Sequence, residues 1–147
     1  MKKIMSISLA AILIAVLFVG CASSKAMKDG SYKAEFAEPD DHGWTEFVEV
    51  TVTNAKITDV NFDARNEKGD LKSKDPDYKT AMEGAGFKTW PSDFYPKLSA
   101  QLIEKQDINQ VDSIAGATNS SDSFKKLVKE LSKNFSSGKT DLVKVKQ

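Results

Sequence analysis

Only one cysteine and one histidine occur in the 147 residues, and neither sign of charge dominates. The lone Cys21 excludes a disulfide framework within the chain. A zinc site would need two more histidine or cysteine ligands beside His42, and the chain does not supply two. No Gly-x-Ser-x-Gly elbow accompanies His42, so a Ser-His-Asp hydrolase has no support and His42 reads as a loop residue. The aspartates at Asp59 and Asp63, and at Asp70, Asp75 and Asp77, lack the spacing of a calcium loop and read as solvated surface. Repeats and low-complexity tracts are also missing. With 21 basic and 21 acidic residues, and 19 basic ones once Lys2 and Lys3 are set aside, no basic excess exists to hold nucleic acid or anionic lipid.

The one long apolar run lies at the start. Lys2 and Lys3 precede Ile4 to Val19, 16 residues broken only by Ser6 and Ser8, and Gly20-Cys21 follows. The run is shorter than the roughly 17–25 residues that cross a bilayer as a helix. A charged start, a short apolar core and a small residue describe a secretory signal over residues 1–20. Leu17-Phe18-Val19-Gly20-Cys21 resembles the lipobox of bacterial lipoproteins, with Phe18 departing from the usual aliphatic residue. That resemblance implies acylation of Cys21, palmitate included, and extracytoplasmic anchoring to membrane lipid. Multiple acyl chains meet the requirement for stable anchoring. Residues 21–28 then form a short polar tether, and the remaining chain suits one domain.

Periodicity predicts an α+β fold, an antiparallel meander with helices packed on one face. Tyr32, Ala34 and Phe36 alternate over Gly30 to Phe36, and Val48, Val50 and Val52 alternate over Phe47 to Thr53. Asn54-Ala55 fits a two-residue turn into a third strand, Lys56 to Ala64. Ile57 is out of step with Val60, Phe62 and Ala64, which predicts a bulge. Asp77 to Glu83 reads as a short helix. Pro96 suits the first position of another that ends near Gln106. Val111 to Ile114 reads as a short strand. Phe124, Leu127, Val128, Leu131 and Phe135 recur at helical spacing, with Ser120 or Ser121 as N-cap and Gly138 past the end. Residues 138–147 form either an edge strand or a fraying tail.

The run from Asp112 to Ser121 carries the chemistry. A turn before a helix offers backbone N–H groups and a favourable dipole to a phosphate. Gly116 removes a side chain where a ligand must approach, and Thr118, Asn119, Ser120 and Ser121 add hydrogen-bonding groups. A plain helix cap behind a small-residue turn explains the same residues, and Asp122 would oppose a nearby phosphate.

Gly116-Ala117-Thr118, with Asp112 before it and Ser120-Ser121 after it, resembles the flavinylation motif of the FMN-binding domain family, which includes small secreted lipoproteins. Asp29-Gly30-Ser31-Tyr32, Gly43-Trp44, Ile57-Thr58-Asp59-Val60, Tyr78 and Met82 extend the likeness, and the domain it implies covers residues 29–137. The resemblance implies FMN as cofactor, joined through its phosphate to Thr118 by a flavin transferase using FAD. It further implies electron transfer with membrane redox proteins, by a carrier more than by an enzyme with its own substrate. Ala115 departs from the family, which usually has Ser or Thr there. Flavin supplies the electron chemistry, so the protein's part is to hold and tune the ring. Trp44, Tyr78, Trp90, Phe94 and Tyr95 are candidate ring neighbours, and each is equally a core plug. Two other functions compete: a flavin-free surface lipoprotein serving as an interaction module, and a flavin enzyme acting on a small molecule.

Overall fold

A computed structural model describes residues 26–147; Cys21 and the expected signal segment lie outside the described residues. Three strands form the expected antiparallel meander: β1 (Gly30–Phe36), β2 (Thr45–Thr53) and β3 (Lys56–Arg65). The β2–β3 turn places Asn54 at φ 52° and Ala55 at φ 59°, the left-handed pair that a type I′ turn demands. The bulge falls beside Ile57. Thr51 pairs with Asp59 and Val52 with Ile57, so Thr58 is the extra residue. It resets the alternation, and Ile57 and Val60 both turn inward.

The chain's end supplies β4 (Val143–Val145), which pairs parallel to β1 and makes the sheet mixed, in the order β3-β2-β1-β4. Helix α1 (Pro76–Gly84) starts at Asp75, whose carboxylate accepts from the N–H groups of Asp77 and Tyr78. Helices α2 (Pro91–Lys105) and α3 (Thr118–Ser132) cover the apolar face of the sheet. Phe62 on β3 marks that face, with its ring 4.6 Å from Tyr95 of α2 and 4.9 Å from Phe124 of α3. Around it Tyr32, Val48, Val50, Leu98, Leu102, Leu127 and Leu131 are fully or almost fully buried.

Three local expectations are corrected. Helix α2 begins at Pro91, which leaves Pro96 inside it. The buried stripe of Phe94, Tyr95, Leu98 and Leu102 rewards the earlier start, and Pro96 points to solvent. Val111 to Ile114 forms no strand, because side chains take its polar backbone. Asp112 N–H donates to Gln101 Oε1 at 2.8 Å, and Ile114 N–H donates to Ser121 Oγ at 3.0 Å. Helix α3 starts at Thr118 with Ala117 as N-cap and no side-chain cap, earlier than Ser120 or Ser121 as N-cap would place it.

Candidate functional site

The turn before α3 decides where its first residues point. Ala117 N–H closes it on Ile114 O at 2.9 Å, with Gly116 third at φ 80°. A side chain at Gly116 would be strained, and its Cβ would stand 3.1 Å from Thr89 Cγ2. Ser121 is fully buried beneath the turn, accepting from Ile114 N–H and donating to Ala117 O at 2.8 Å. Thr118 and Asn119 are left exposed on the first turn of α3. The first N–H groups of a helix lack intrahelical partners, and no side chain caps these.

This helix end opens into a cavity of about 880 Å³. The volume falls within the roughly 300–1,000 Å³ of small-molecule and cofactor sites. Gly116, Ala117, Thr118, Asn119 and Ser120 form one side, with Asp122, Ser123 and Lys126 further along α3. Tyr78 and Met82 of α1, Phe87 beyond it, and Phe94 and Tyr95 of α2 form apolar walls. The β1–β2 loop closes the rim with Asp40, Asp41 and His42. Phe87 is one of two large apolar side chains left well exposed among the described residues, and it stands at this cavity.

Of the residues singled out in sequence, Gly116, Ala117, Thr118 and Ser120 are brought together on the cavity wall. Ser121 serves the turn beneath it. Asp112 stands apart, with its side chain 82% exposed and paired to Lys105 Nζ at 2.7 Å. That lysine holds its carboxyl below the usual carboxylate range. Ala115 is not part of the wall. Tyr78, Phe94 and Tyr95 line the cavity. Trp44 is buried against Tyr78, and Trp90 lies under Lys79 beside a smaller recess.

Two further cavity residues, Lys72 and Glu46, were not singled out in the sequence. Lys72 is almost wholly buried, 4.6 Å from the Tyr78 ring and 5.7 Å from that of Trp44, with Nζ 3.3 Å from Asp40 Oδ2. Glu46 ends the inward-facing row of Val52, Val50 and Val48 on β2. Burial pushes its carboxyl up, and Ser123, Lys72, Ser120 and Tyr95 pull against that without cancelling it. Tyr95 donates to Glu46 Oε1 at 3.4 Å, and burial together with that carboxylate raises the phenol above its ordinary value. A cue was available, since strict alternation continued one step before Val48 predicts Glu46 inward.

An uncapped helix N-terminus suits a phosphate, and aromatic walls beside it suit a flat ring, so these residues fit a flavin mononucleotide. Among the described residues no cluster of His, Cys, Asp and Glu could hold a metal ion, and no helix is long and apolar enough to cross a membrane. The chain is similar to the 15 kDa lipoprotein of Treponema pallidum (strain Nichols), at 33% identity over 90% of this chain and 93% of that one. A crystal structure of a Clostridium perfringens protein superimposes with a TM-score of 0.77 at 38% identity, covering 82% of this chain and 98% of that one. A solution structure of a Clostridium thermocellum protein gives 0.54 at 27% identity, covering 78% and 95%. The FMN-binding domain family matches residues 43–133, spanning β2 to α3 and most of the cavity wall. The chain belongs to the FMN-binding domain family, whose cofactor is FMN.

Proposed function

We propose that this protein is a lipid-anchored, extracytoplasmic electron carrier with FMN held covalently on Thr118. The observation that carries this reading is the placement of Thr118 as the first residue of an uncapped helix at the wall of an aromatic-sided cavity. Its hydroxyl is exposed to an incoming transferase, while the N–H groups beside it are free to hold the phosphate. In the attachment step Thr118 Oγ forms a bond to the FMN phosphorus, the pyrophosphate bond of FAD breaks, AMP leaves, and the hydroxyl proton passes to the transferase or to water. FMN, once bound, supplies one- and two-electron chemistry.

The protein's own residues then do three things. Gly116 and Ser121 fix the turn that aims Thr118. Tyr78, Phe94, Tyr95 and Met82 offer apolar walls that keep water from the ring. Lys72 and Glu46 set the local field. Anchoring through Cys21 is supported by the lipobox resemblance and by the likeness to the treponemal lipoprotein. A flavin transferase and membrane redox proteins are the partners this function requires.

Co-expression of the full chain with a flavin transferase tests the attachment. The expected result is a flavin-fluorescent band after denaturing electrophoresis that disappears in Thr118→Val. A dark wild-type band, under conditions where another family member labels, would contradict covalent attachment and favour a flavin-free interaction module.

A further inference from the structure

Glu46 is a charge of the cavity wall that no described cation pairs. The alternation of β2 carries its carboxylate onto the helix-covered face, where it lines the cavity beside Tyr95, Ser120 and Ser123. Among the described residues it belongs to no ion pair. Lys72 is the cation acting on it, but the lysine's Nζ is engaged by Asp40 and by the rings of Tyr78 and Trp44. The remaining ionisable groups around it come from every side of the cavity. They are Asp40, Asp41 and His42 of the β1–β2 loop, Tyr78 of α1, Tyr95 of α2, and Asp122 and Lys126 of α3. Asp63 is a further carboxylate acting on Tyr95.

A half-buried carboxylate with no paired cation and one long hydrogen bond, from Tyr95, is poorly compensated. Negative charge added to the same cavity would raise its affinity for a proton further. We propose that Glu46 is the proton acceptor that accompanies electron uptake by the flavin in this cavity. The inference rests on the reading that the cavity holds FMN. The electron comes from an external one-electron donor and stays on the flavin. The proton comes from bulk water through the cavity mouth and ends on a Glu46 Oε. No covalent bond to carbon or phosphorus is made or broken, and the cavity's net charge is unchanged by the step. Ser120 thereby has a use two residues from the attachment point, since its hydroxyl acts on the carboxylate that takes the proton.

The test uses the full chain loaded by co-expression with a flavin transferase and reduced with dithionite. Reduced-minus-oxidised infrared spectra should gain a protonated-carboxyl band that shifts in heavy water and is missing from Glu46→Gln. The midpoint potential of wild type should fall with pH more steeply than that of Glu46→Gln where Glu46 titrates. The excess slope approaches about 59 mV per tenfold change in proton activity for one electron and one proton. Tyr95→Phe, which deletes the hydroxyl 3.4 Å from Glu46 Oε1, should move the same band and keeps the test valid if Glu46→Gln fails to fold. Flavin-loaded protein with no carboxyl band, or with the same band and slope in both proteins, would overturn the proton role. Protein that carries no flavin at all would instead contradict the proposed function, and with it this inference.

Discussion

Ser121 shows how far one side chain decides the site. Its hydroxyl satisfies Ile114 N–H and Ala117 O together and so braces the turn that aims Thr118. Removing it leaves a partly buried N–H without a partner, a loss of roughly 1–3 kcal/mol. Urea unfolding of Ser121→Ala should therefore show a destabilisation of that size, and a change below about 0.5 kcal/mol would mean that water replaces the hydroxyl. Sequence alone identified Ser121 as part of the motif but not its direction. Direction depends on where α3 begins. With Ala117 as N-cap, Ser121 falls in line with Phe124, Val128 and Leu131 on the buried side, whereas Thr118 and Asn119 face outward. Glu46 escaped for a related reason. Alternation places it inward, but only the helices that wall off a cavity there give that position a use.

At the scale of elements, the β2–β3 hairpin was legible because its signals are local. Alternation fixes which side each residue faces, and Asn54-Ala55 marks the turn. Ala55 nevertheless holds φ 59° without being glycine. A left-handed residue with a Cβ costs roughly 1–2 kcal/mol, while glycine gives back about 0.4–1 kcal/mol through unfolded-chain entropy. Ala55→Gly should raise stability by about 0.5–1 kcal/mol net in the same unfolding measurement. A loss of stability would show that the turn is not type I′. The helix starts were less legible because their determinants are tertiary. Pro91 and Pro96 both suit a first helical turn, and only the stripe that packs on β3 chooses between them. Val111 to Ile114 has strand composition, but its backbone partners are the side chains of Gln101 and Ser121, which no local pattern reveals.

Over the whole molecule, Lys28, where the expected tether ends, and the cavity lie at opposite ends of α3. Lys28 N–H donates to Phe135 O at 2.8 Å just beyond the helix's last turn, while Thr118 opens its first. The helix separates them by about 20 Å at its 1.5 Å rise per residue. The seven residue steps from Cys21 to Lys28 add at most about 25 Å when extended, so the proposed anchor would keep the cavity within a few tens of ångströms of the membrane. Glu46 also leaves a mark on global stability. Its folded carboxyl holds a proton more tightly than the unfolded one, so its contribution is full below the ordinary value of about 4.3. The contribution is lost as pH rises through the folded value. Thermal unfolding of the flavin-free chain should show wild type losing ground to Glu46→Gln as pH rises from about 4 to 8, and parallel curves would contradict the raised proton affinity of Glu46. Asp107 and Asp112 act the other way, contributing above the usual carboxylate range and fading as pH falls, and their exposure keeps them minor. The central claim is the bond at Thr118, and the most direct measurement is tandem mass spectrometry of the peptide containing it, from the full chain co-expressed with a flavin transferase. The account predicts the added mass of an FMN phosphoryl group on the Thr118 hydroxyl, and an unmodified Thr118 in protein that nonetheless holds flavin would contradict it.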